Sequence, residues 1–135
     1  MILMYFYNKT CFIMPSTDFY LLGLLNSKLI WYFLLRICPV LGDPDKKGRL
    51  TQQWIYMKQI PIQLGNDRQF PKKHESVANF SSEMIVLHER LAHAKAEADR
   101  LVLERQIKAT DKKIDQLVYE LYGLTNGEIR IIEES

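Results

Sequence analysis

The chain has 135 residues, room for one or two small units, and its 47% hydrophobic and 25% charged residues are ordinary globular composition. Its net charge of +2 hides an asymmetry: residues 1–73 carry ten lysines and arginines against four acids, a balance of +6, and residues 74–135 carry eight against twelve, a balance of −4. A basic half joined to an acidic half points to an anionic partner for the first half only. Cys11 and Cys38 are too few for a disulfide scaffold, so free buried thiols in a reducing cytoplasm are expected. Met1–Tyr7 is apolar but lacks a basic start and a small-residue cleavage site, so it is not read as a signal peptide.

Residues 2–7 and 10–14 are short apolar runs split by Asn8 and Lys9, which predicts two strands or one bent strand. The greasiest stretch, Tyr20 to Leu35, follows. Ser16 or Thr17 can cap its first amides, Asp18 suits the positive helix end, and Pro39 lies just past its close. A helix apolar nearly all round is central to a core or in a membrane. Asn26, Ser27 and Lys28 interrupt it near the middle and Arg36 closes it, so a buried central helix is expected rather than a span. Asn26 and Ser27 are expected to bond neighbouring backbone, with DNA contact as the alternative.

Leu41–Arg49 has two glycines, a proline, two aspartates and three cations, and reads as a loop. Thr51 can cap a short helix through about Lys58, with Trp54, Ile55 and Met57 partly inward. Ile60-Pro61-Ile62 reads as an edge strand. Residues 64–74 are polar and form a linker. The expected division is thus a head over 1–63, the linker over 64–74, and a helical arm over 75–135. The fold class expected is α+β: a small mixed head with a buried central helix and short strands, then a long coiled-coil-like arm.

No glycine or proline falls between Glu75 and Tyr122. Val77, Phe80, Met84, Leu87, Leu91, Ala94, Ala98 and Leu101 form a heptad seam, and Leu103, Ile107, Thr110, Ile114, Leu117 and Leu121 form a second one displaced by two residues. Two residues turn a helix by about 200°. The arm is therefore a hairpin broken near Ala94–Leu101 or one rod with two faces, and the alanines from Ala92 to Ala98 favour continuous helix. Gly123 suits the left-handed position after a helix. Thr125 and Glu128 have capping-box spacing, Leu124 and Ile129 are placed as a staple, and a last helix through about Glu133 is expected.

No phosphate-cradling glycine loop and no Gly-x-Ser-x-Gly motif is present. His88 and His93 lie five apart, too far round a helix to share a metal as an i, i+4 pair would; no metal, cofactor or catalytic residue is expected. Glu89, Glu97, Glu104 and Asp111 lie among lysines and arginines, as on a solvated face. What remains is a basic loop beside amides and aromatics: Lys46, Lys47, Arg49, Gln52, Gln53, Trp54 and Tyr56. Lysine and arginine neutralise phosphates, and glutamine can pair bidentately with adenine in the major groove. The plain alternative is an exposed loop with solubilising charge.

Three strings in order carry a resemblance: Tyr20-Leu-Leu-Gly-Leu-Leu-Asn-Ser-Lys-Leu29, Gln59-Ile-Pro-Ile62 and Ile114-Asp-Gln-Leu-Val-Tyr-Glu-Leu-Tyr-Gly-Leu-Thr125. Together they resemble the C-terminal specificity domain of TaqI-like adenine-N6 DNA methyltransferases, including the fused type IIG restriction–modification enzymes. More distantly, they are similar to the target-recognition domains of type I restriction specificity subunits. The resemblance covers roughly residues 9–133. It implies a module that reads double-stranded DNA, with long helices as spacer and docking arm. Leu41–Arg49 matches by position a loop that faces DNA in such domains, although here it reads Gly-Asp-Pro-Asp-Lys-Lys-Gly and not a plain glycine run. The Asn-Pro-Pro-Tyr/Phe motif and the glycine-rich loop for S-adenosylmethionine are absent, so a fragment without catalysis of its own is expected. The expected contacts are Lys46, Lys47 and Arg49, with Lys72 and Lys73, on phosphates, and Gln52, Gln53 or Arg49 on bases. The expected partners are DNA, a methyltransferase or restriction subunit, and a second copy through the arm; a membrane is not expected. The alternative function is an assembly module that docks a methyltransferase without touching DNA.

Overall fold

The computed structural model describes residues 16–41, 49–50, 54–65 and 68–135. In chain order the elements are α1 (Phe19–Leu25), α2 (Lys28–Ile37), β1 (Val40–Leu41), β2 (Arg49–Leu50), α3 (Trp54–Met57), α4 (Phe70–His93), α5 (Glu97–Leu121) and α6 (Asn126–Glu133). The α+β expectation is corrected to a mostly α fold, because 75% of the interpretable residues are helical. The one extended pairing among the described residues is a two-residue antiparallel ladder, Val40 opposite Leu50 and Leu41 opposite Arg49, too short to form a layer. Ile60-Pro61-Ile62 joins no sheet, because side chains from elsewhere take its neighbouring backbone groups. The strands expected over 2–7 and 10–14, and the Thr51 cap, lie outside the described residues.

The apolar run from Tyr20 to Leu35 is two helices, not one, bent by 58° at Asn26 and Ser27. Asp18, rather than Ser16 or Thr17, caps α1: its carboxylate accepts from Tyr20 N at 2.9 Å. Ser27 turns extended and caps α2. The run buries Tyr20, Leu24, Ile30 and Leu34 but leaves Trp31 and Leu35 exposed. No single helix among the described residues is long and apolar enough to cross a membrane; the bent α1–α2 pair passes that test on length and composition alone.

The arm is a hairpin. Ala94 and Ala96 are both extended, which ends α4 and starts α5. Alanine favours helix by under ~1 kcal/mol per residue. Burying two opposed seams against each other outweighs that preference, since one buried leucine or isoleucine is itself worth about 2 kcal/mol. Leu101, assigned to the first seam, is exposed near the tip. α4 starts at Phe70, with Pro71 in its first turn, so half of the predicted linker is helix.

Two apolar clusters hold the molecule together. One joins Tyr20 and Leu24 of α1, Val77 of α4, and Ile114, Val118 and Leu121 of α5. The other joins Ile30, Leu34 and Cys38 to Ile60, with Tyr56 and Met57 of α3 packed against it. Ile55, expected inward, is instead 53% exposed. Gly23 lets α1 approach α4, since a Cβ there would fall 2.7 Å from Val77 Cγ1. The predicted head and arm therefore share a core at the open end of the hairpin.

Gly123 (φ +64°) terminates α5 with two backbone bonds, from its own amide to Glu120 O and from Leu124 N to Tyr119 O. That pair is a Schellman motif. Thr125 and Glu128 form a reciprocal capping box at the start of α6. The expected last helix through Glu133 is present.

Candidate nucleic-acid interface and the polar junctions behind it

The predicted DNA-facing residues divide in two. The β1–β2 ladder closes the base of the basic loop, and the backbone of Arg49 belongs to that ladder. Lys46, Lys47, Gln52 and Gln53 lie outside the described residues. Lys72 and Lys73 fall in the first turn of α4. Lys72 is exposed, whereas Lys73 Nζ lies 3.7 Å from Glu120, near the end of α5. That acid offsets part of the field Lys73 would offer a phosphate, and an ion pair at this separation contributes under about 1 kcal/mol.

The Asn26-Ser27-Lys28 triplet is bonded as expected from a polar insert. Asn26 Nδ2 donates to Leu22 O and Ser27 Oγ donates to Leu24 O. Sequence reasoning missed the partner across the fold, Asp115 of α5. Its carboxylate accepts from Lys28 N at 2.9 Å, so it caps α2 from a different helix. It is 3% exposed. Burial pushes its carboxyl up to about 6, although the Lys28 amide pulls the other way. Lys28 Nζ meets Glu133 Oε2 at 2.7 Å, and Tyr119 OH donates to Glu133 Oε1 at 2.7 Å. These two bonds hold the Glu133 carboxyl below its usual range; burial, and then the bond to Glu133, push the Tyr119 phenol up. α1, α2, α5 and α6 thus meet at one polar junction. In sequence Asp115 directly follows the seam residue Ile114, and its side of α5 gave no sign of burial.

A second junction fixes the Ile60–Ile62 segment. Tyr122 OH donates to Pro61 O and accepts from Gln63 N. Gln63 Nε2 donates to Leu121 O, and Gln63 O accepts from Tyr20 OH at 2.7 Å. Burial pushes the Tyr20 phenol up to about 12. Tyr20 also lies 4.2 Å, centroid to centroid, from the His74 ring.

Chemically these junctions hold elements in place. Ser27 donates to Leu24 O at the end of α1 and Ser81 to Val77 O within α4, so neither hydroxyl is set against a base. Burial pushes the Cys38 thiol up, away from thiolate. His93 Nδ1 contacts Glu89 O of its own helix, and among the described residues no three potential ligands gather as a metal site. Between α4 and α5, beside α1, runs a groove of about 720 Å³.

The fold and its junctions define a small helical module in which a two-helix arm is joined to a helical head by a shared apolar core and part-buried polar contacts. No known family model, curated protein or solved structure matches the chain.

Proposed function

We propose that the chain is a DNA target-recognition module of the restriction–modification kind, resembling the specificity region of an adenine-N6 methyltransferase or type IIG enzyme and binding duplex DNA without catalysis of its own. One observation carries the reading: the three strings that bear the resemblance converge in space. The first meets the third where Asp115 caps Lys28, and the second meets the third where Tyr122 holds Pro61 and Gln63. On this reading the contacts among residues 20–29, 59–62 and 114–125, which also close the apolar core, set the geometry of what the first two strings flank in sequence. In sequence, residues 20–29 and 59–62 lie on either side of the basic loop between β1 and β2. Lys46, Lys47 and Arg49 would then neutralise phosphates, with Gln52 and Gln53 on base edges and exposed Lys72 as an outlying phosphate contact.

The test is retention of a random-sequence duplex pool at low and physiological salt, with sequencing of what is kept. Specific recognition gives an enriched short motif. The Lys46→Ala, Lys47→Ala double variant should lose affinity uniformly across sequences and show a shallower salt dependence. A double variant that binds like wild type would remove the loop from the interface, and no retention at low salt would remove the function.

A second reading, assembly through the arm with a methyltransferase subunit or a second copy, is favoured by exposed apolar side chains on the hairpin: Ile85, Val86, Leu101 and Val102. Sedimentation at several protein and salt concentrations separates the two, because apolar association is insensitive to moderate salt.

A further inference from the structure

The groove beside α1 has a floor of Met84, Ile85, Ile107 and Ile114 and a wall at Leu22. Ile85 and Leu22 are each 39% exposed, Met84 and Ile107 are half-buried, and Ile114 closes the bottom. Its α4 side runs from Ser81 to Ala92, about three helical turns. Every lining side chain that carries full charge at neutral pH is an acid, Glu89 and Asp111, and no lysine or arginine lines it. Glu89 is exposed and Asp111 half-buried. Neither makes a side-chain ion pair among the described residues, whose salt bridges are Lys28–Glu133 and Lys73–Glu120.

We infer that this groove receives an amphipathic helix of another protein, one whose apolar stripe is flanked by lysine or arginine. A groove three turns long with Leu22, Met84, Ile85 and Ile107 as its accessible apolar contacts matches anchors at i, i+3 or i+4, and i+7, the spacing by which a helix lies in a groove. The two acids select the sign of the flanking charge, giving orientation and specificity more than raw affinity. The inference stands apart from the DNA reading, since it uses neither the basic loop nor Lys72.

The probe is a fluorescein-labelled helical peptide of about 18 residues, five turns, with leucines at the anchor spacing and lysines beside them. A control peptide keeps the leucines and replaces the lysines with glutamates. Anisotropy should show saturable binding of the lysine peptide, about tenfold weaker binding of the glutamate peptide, and strengthening as salt falls. Glu89→Lys with Asp111→Lys should reverse the preference. Ile85→Ser should weaken both peptides, and circular dichroism controls for folding of each variant. Equal binding of both peptides, or a preference that survives the charge reversal, overturns the proposal. A wild-type dimer that dissociates on Ile85→Ser overturns it too, because the groove would then belong to a second copy.

Discussion

Replacing Asp115 by Asn tests whether a buried carboxylate welds head to arm. Asparagine keeps an oxygen of the same size at the place where Asp115 accepts the Lys28 amide at 2.9 Å, so the α2 cap survives and only the charge is removed. The folded carboxyl holds its proton to about 6 against an ordinary 3.8. The folded state therefore binds more protons between these values. The stability tied to this group is complete below pH 3.8 and is lost as pH rises through about 6. A shift of about two units is worth about 3 kcal/mol, of which about 2 kcal/mol falls between pH 4.5 and 7.5. Glu128 and Glu133, whose carboxyls are held low, give the opposite trend, but they are common to both proteins and cancel in the difference. Denaturant unfolding of wild type and Asp115→Asn at those two pH values should therefore give a difference that moves about 2 kcal/mol in favour of the variant at the higher pH. A difference that is flat with pH would mean that Asp115 titrates as an exposed acid and that the cap across the fold is not closed. Asp115→Ala completes the argument: it removes the charge and the acceptor together, and should lose about 1 kcal/mol relative to Asp115→Asn at every pH.

Gly23→Ala should destabilise by about 1–2 kcal/mol in denaturant melts, because the clash with Val77 exceeds the ~1 kcal/mol of helix propensity gained; a stabilised variant would show that α1 stands off α4. Gly123→Ala meets nothing within 4 Å, so its cost of about 1 kcal/mol should come from the left-handed backbone alone, and Gly123→Asn should recover part of it. Thr125→Ala should cost about 1 kcal/mol in thermal melts. It should also return the Glu128 carboxyl toward its ordinary range in an NMR titration, since both bonds that hold it low come from Thr125.

What could be read in the sequence was local. The close of α5 at Gly123, the Thr125–Glu128 capping box and the extent of α6 rest on residues within a few positions of each other, and the structure has them where the pattern required. The Asn26–Lys28 triplet was legible as a polar insert because Asn26 and Ser27 find their partners within four residues. That it also breaks the helix was not, because the acceptor that makes a second N-terminus affordable is Asp115, 87 positions away. An apolar run cannot announce a break whose hydrogen-bond partner lies on another helix. The strand expected at Ile60–Ile62 failed for the same reason: β-branched residues around a proline fit an edge strand, but Tyr122 OH takes Pro61 O and the Gln63 amide, and Met57 O takes the Ile60 amide.

The hairpin could have been decided from the seams, and the physical reason is instructive. A phase change of about 200° leaves a single rod with apolar stripes on opposite sides, each needing its own neighbour. A fold-back lets each stripe serve as the other's neighbour, so the two are buried together with no further chain. The alanine run argues only for helix on either side of the break and is silent on the break itself. Burial follows this logic unevenly: Val77, Ile114 and Val118 are sealed where α1 covers the hairpin, while Ile85, Leu101 and Val102 remain exposed farther along. α1 spans seven residues, about 10 Å, against the 24 residues of α4. The shortness of α1 is thus what leaves the acidic groove open, and that shortness comes from the Ser27 cap held in place by Asp115.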